Sequence, residues 1–139
     1  RTVPPPSMGI FDASSRDQCE VKRLRTNTPL QALMMMNDPT VLEASRVLAA
    51  NLLKEGIETE DMIAKAFRLI VCRTPTNKEV TLLQSYFEKE LKKMDPESAA
   101  KLLTVGEYPK PRDVDDIRLA AMMLVVNSIY NLEETITKS

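Results

Sequence analysis

Three of the chain's four Thr-Pro and Asp-Pro pairs, Thr28-Pro29, Asp38-Pro39 and Asp95-Pro96, stand at the head of a helical pattern. A proline at the first helical position gives up an N–H that would be unpaired anyway, and the preceding Thr or Asp oxygen accepts from the amides that follow. Each of these three pairs therefore marks a helix start. Pro39 also disfavours helical geometry at Asp38, which separates the helix before it from the one after. A fourth start is written as Thr76-Asn77-Lys78-Glu79, a capping box, after a break at Arg73-Thr74-Pro75.

Between these marks the apolar residues keep a helical period. A short apolar run over 30–36 is followed by a helix over 39–55, whose broad stripe is Val41, Ala44, Leu48 and Leu52 with Leu42, Ala49 and Leu53 beside them, and whose stop is Gly56. Thr59 opens a third segment with Glu60 and Asp61 in its first turn, where the helix dipole favours them. Its core residues are Met62, Ile63, Ala66, Phe67, Ile70 and Val71. Val80, Leu83, Phe87, Leu91 and Met94 repeat through the fourth, whose Lys/Glu-rich end reads as a solvated face because its signs alternate. A short helix to about Val105, a loop from 106 to 112 with two prolines, and a last helix from about Asp113 complete the body. Residues 119–126 are apolar without interruption, which predicts a central helix, with Leu124 and Phe67 as core residues. Asn127 and Asn131 interrupt that run one turn apart and either bond neighbouring helices or face a pocket.

The expected fold is all-α: a compact bundle of about six helices, carrying an extended proline-rich arm. At 139 residues one domain is the default, spanning 16–139 with the arm over 1–15. Pro4, Pro5 and Pro6 favour a polyproline II course, and Met8, Ile10 and Phe11 would lay the arm on the helical body. Aromatics make up only 4%, so the core is built from Leu, Ile, Val, Ala and Met. No run of eighteen apolar residues occurs, and no signal peptide is read at the start, which has the look of a piece of a longer protein.

The stretch 16–39, RDQCEVKRLRTNTPLQALMMMNDP, concentrates what chemistry the chain offers. Arg16, Lys22, Arg23 and Arg25 stand against Asp17 and Glu20 and make a mildly electropositive face. Arg16, Cys19, Arg23, Arg25, Asn27 and Gln31 form the candidate binding surface. Arginine's planar fork serves equally in a structural clamp, with Asp12, Asp17, Glu20 or Glu43 as partners. Nucleic acid is not an expected partner, since the positive surplus is small, the whole chain carries a net charge of −1, and no aromatic interleaves these cations.

TVPPPSM, FDASSRDQC, KRLRTNTPLQAL and NDPT resemble the family called domain of unknown function 1553, and the resemblance continues through RLIVCRTPTNKE and VVNSIYNLEETITKS. Lys22 stands where an arginine is usual and Leu24 where a glutamate is common. The resemblance implies a C-terminal module of large planctomycete-type surface or periplasmic proteins. It also implies a preceding domain of unknown function as partner, and often a cytochrome c-like haem domain in the same chain.

Catalytic motifs are sparse. The sequence has no histidine, which removes Ser-His-Asp and Cys-His pairs, H-E-x-x-H zinc sites and His ligation of haem. No phosphate-cradling glycine loop and no C-x-x-C-H is present, and two cysteines alone make a poor zinc site, so no cofactor or metal is expected. Cys19 and Cys72 either pair in an oxidising compartment or are separately buried, and the end of an apolar helix favours a buried thiol at Cys72. Asp115-Asp116 and Glu133-Glu134 read as helix-end charges, because adjacent helical residues do not face each other. The expected role is a non-catalytic structural or interaction module in a cell-envelope protein. The alternative has the 16–31 stretch lending an anion-binding face to an active site shared with the preceding domain, with a glycan as substrate.

Overall fold

The computed structural model describes Ile10, Phe11 and residues 28–136. The arm expected over 1–15, apart from Ile10 and Phe11, and the 16–27 segment lie outside the described residues. Among the described residues seven helices pack together: α1 (Pro29–Asn37), α2 (Pro39–Lys54), α3 (Thr59–Val71), α4 (Asn77–Lys93), α5 (Pro96–Leu103), α6 (Asp116–Tyr130) and α7 (Glu133–Ile136). The fold is all-α, with no strand among the described residues. The four-residue α7 is the helix beyond the six expected.

The local starts form as their chemistry dictates. Thr28, Asp38, Thr76 and Asp95 are N-caps with extended backbone, and each side chain accepts from amides two or three residues on. Asp38, with ψ 123°, is at once the C-cap of α1 and the N-cap of α2, so the two helices meet in a one-residue corner. Gly56, at φ +65°, turns the chain out of α2.

α6 is the centre. It packs against all six other described helices, most extensively α2. Leu119, Ala120, Ala121, Met122, Met123, Val125, Val126 and Ile129 are all fully buried. Phe67 is buried, as expected, and so are Met62, Ile63 and Ala66 of α3. Leu124 departs from the expectation and is only part-buried. It shares a part-buried stripe with Ile117, Ser128 and Asn131, spaced at seven, four and three residues.

In α2, Ala49 and Leu52 are buried as expected, whereas Ala44 is exposed and Leu48 half-buried, and Ser45, Arg46 and Ala50 are buried outside the expected stripe. Cys72, expected as a buried thiol, is exposed and in no disulfide. α3 ends at Val71, and Cys72 is its left-handed cap at φ +63°, outside the packed turns.

Candidate functional site

Of the six residues proposed from sequence, Arg16, Cys19, Arg23, Arg25 and Asn27 lie outside the described residues. Gln31 is described, and it faces inward at 2% exposure. Its Oε1 accepts from the Thr28 amide at 3.0 Å while Thr28 Oγ1 accepts from the Gln31 amide at 3.3 Å, a capping box that closes the start of α1. Its Nε2 donates to the Ile10 carbonyl at 2.8 Å, 21 residues earlier. Gln31 therefore joins α1 to the chain that precedes it rather than presenting an amide to solvent. The signal for this role was present in the Thr-x-x-Gln spacing.

The outward side of α1 is apolar. Leu30, Leu33 and Met36 are 56%, 58% and 46% exposed and follow one another at three-residue spacing along one side of the helix. The inward side is fastened to α6, where Asn127 donates to the Met36 carbonyl. Asn127 thus bonds a neighbouring helix, one of the two roles open to it from sequence, and Asn131 donates back to the Asn127 carbonyl at 3.0 Å.

A second constellation was not legible as a site. Between α5 and α6 the chain crosses α2 as a strap. Glu43 accepts from the Glu107 amide at 3.0 Å through Oε2 and from the Tyr108 amide at 2.8 Å through Oε1. Arg46, one turn further along α2, donates from Nη2 to the Tyr108 carbonyl at 2.6 Å. Gly106 makes this approach possible: its φ is +93°, and a Cβ there would collide with the Glu43 side chain. Glu43, considered as a partner for the 16–25 arginines, which lie outside the described residues, accepts from two amides of the strap. On its far side Glu43 also borders an open groove of about 620 Å³ between α2, α3 and the end of α6, with Leu48, Leu69 and Ile70 in its walls and Tyr130 at one end.

The strongest charge cluster is structural. Arg73 reaches Glu79 at 2.6 Å and Glu134 at 2.7 Å, and its guanidinium lies 4.7 Å from the Phe67 ring centroid. One arginine so joins the end of α3, the start of α4 and α7. The Arg73 hydrogen bond holds the Glu79 carboxyl down at about 2, helped by the Thr76 amide and hydroxyl, and it lowers Glu134 as well. The helix-end reading of the acidic pairs fits what Asp115 and Asp116 do: Asp115 caps α6, and Asp116 pairs with Lys110 at 2.6 Å.

Among the described residues no group of three or more Cys, Asp or Glu side chains is placed to hold a metal. No described helix is long and apolar enough to cross a membrane. The geometry defines a class before it defines a chemistry: an all-α domain wrapped round one apolar helix, with a strap clasped across its second helix and an apolar side left open on its first. Residues 1–87 match the family described as PSD1, Protein of unknown function (DUF1553), and the chain belongs to that family. No curated protein and no solved structure matches the sequence.

Proposed function

We propose that this chain is a non-catalytic structural or interaction module of a multidomain cell-envelope protein, in the periplasm or at the cell surface, and that it docks through α1 onto the domain preceding it. The observation that carries this reading is the exposed Leu30, Leu33 and Met36 stripe. Three large apolar side chains on one side of a nine-residue helix are costly to leave in water, at about 25 cal/mol for each Å² of apolar surface. The helix that bears them is tied to the body by the Asp38 corner and the Asn127 bond, so the stripe is presented on a fixed support. Contiguous apolar surface of this kind marks contact sites. The reading in which the 16–31 stretch serves a shared active site draws no support from Gln31, which faces inward.

The test is amide hydrogen exchange over 29–37 in this chain alone and in the longer protein that contains it. Docking predicts slower exchange of α1 in the longer protein, and Leu30→Glu with Leu33→Glu should abolish that difference while leaving the melting temperature of the isolated chain unchanged. Equal exchange in both contexts would overturn the proposal.

A further inference from the structure

Arg46 is the one arginine among the described residues that is fully buried, at 1% exposure. A guanidinium stays protonated in proteins and offers five N–H donors. Here Nη2 meets the Tyr108 carbonyl, while Nε and Nη1 are buried with no hydrogen-bond partner. Among the described residues no carboxylate pairs with Arg46. Glu43, one turn away, has both oxygens on strap amides. A buried cation without a contacting counter-charge is strongly unfavourable, and its unsatisfied donors add to the cost. The position itself favours an apolar side chain, since Ala49, Ala50 and Leu52 share its face of α2. The fold thus buries two Arg46 donors without giving them an acceptor.

We propose that Arg46 is the anchor of a binding site for a small carboxylate, enclosed by the strap at 106–108. The ligand's oxygens would accept from Nε and Nη1, the two donors the fold leaves unused. Charge selects the class: a single guanidinium with two adjacent unused N–H donors matches the two oxygens of a monoanionic carboxylate. Enclosure selects a small molecule over a peptide or a polymer. The strap is held on α2 by three hydrogen bonds: the Glu107 and Tyr108 amides donate to Glu43, and Arg46 donates to the Tyr108 carbonyl. Gly106, with its left-handed backbone against Glu43, allows that close approach. Tyr108, at 58% exposure, lies outermost on the strap.

The test titrates the 139-residue chain with sodium acetate, using sodium chloride and sodium phosphate at matched ionic strength as the comparison arms. The Arg46 Nε–H resonance should shift saturably with acetate and not with chloride, and the melting temperature should rise with acetate alone. Arg46→Met, which removes the charge but keeps an apolar stem, should bind acetate about tenfold more weakly or not at all. Helicity by circular dichroism shows whether that variant folds, and the wild-type titration stands independently of it. An absent or chloride-equivalent response of the wild type, tighter binding of phosphate than of acetate, or an undiminished acetate response in a folded Arg46→Met would each overturn the site.

Discussion

Asn127 donates from Nδ2 to the Met36 carbonyl at 3.2 Å, linking residues 91 positions apart. The acceptor is one of the last carbonyls of α1, which have no partner within their own helix, and the donor is 6% exposed in the middle of the core. Its other amide atom, Oδ1, is buried without a partner. Asn127→Ala removes that bond and the partnerless Oδ1 together and should cost about 0.5–1.5 kcal/mol, the net range for one hydrogen bond. Asn127→Asp should cost more, because it replaces the donor with a carboxylate oxygen facing a carbonyl. Urea unfolding at neutral pH reads both, and midpoints equal to wild type would show that the bond does not hold α1 to α6.

The two left-handed glycines should respond differently to alanine. At Gly56, with φ +65° and open space where the alanine methyl would go, Gly56→Ala should cost about 1 kcal/mol, the backbone penalty alone. At Gly106, with φ +93°, the methyl also runs into Glu43, and Gly106→Ala should cost about 1–3 kcal/mol. Adding Glu43→Ala should recover part of the second loss and none of the first. Thermal melts of both glycine variants, each with and without Glu43→Ala, and of Glu43→Ala alone decide the matter, and equal losses at both glycines would contradict the close packing of the strap on α2.

Arg73 sets a pH dependence. Glu79 falls from an ordinary value of 4.5 to about 2, chiefly through its hydrogen bond to Arg73. A carboxyl depressed in the folded state contributes stability that is complete above its unfolded value and disappears as pH falls through the folded one. Wild type should therefore exceed Glu79→Gln in melting temperature at pH 7, and the gap should narrow as pH falls from 4.5 toward 2. Added salt should also narrow it, because the pair is partly exposed. A gap independent of pH would mean that Glu79 acts through the Thr76 cap and not through its charge.

What could be read from the sequence divides by range. Caps act over three or four residues, so the starts at Thr28, Asp38, Thr76 and Asp95 were legible, as was the central place of α6 from its unbroken apolar run. The inward Gln31 was legible in principle from the same local pattern. Leu124 was not, because a helix apolar on every side carries no mark of the side that stays part-buried. The Arg46 contact depends on Tyr108, 62 residues away, and nothing near Arg46 separates a buried guanidinium from one on a solvated face. Cys72 misled for a related reason. Left-handed caps usually fall on glycine, and here the role fell to a residue whose type suggests burial.

The family match ends at Phe87, but the helix on which every other described helix packs runs from Asp116 to Tyr130. A fragment cut at that boundary would keep Ala49, Met62 and Phe67 and lose the helix that covers them. It would also lose Glu134, the second carboxylate on Arg73. The span of the family match and the set of helices that share one core thus end at different residues. A volume change in α2 or α3 is felt directly by α6, a helix beyond the matched region, so side-chain size in the first half and in the tail is set by one shared core.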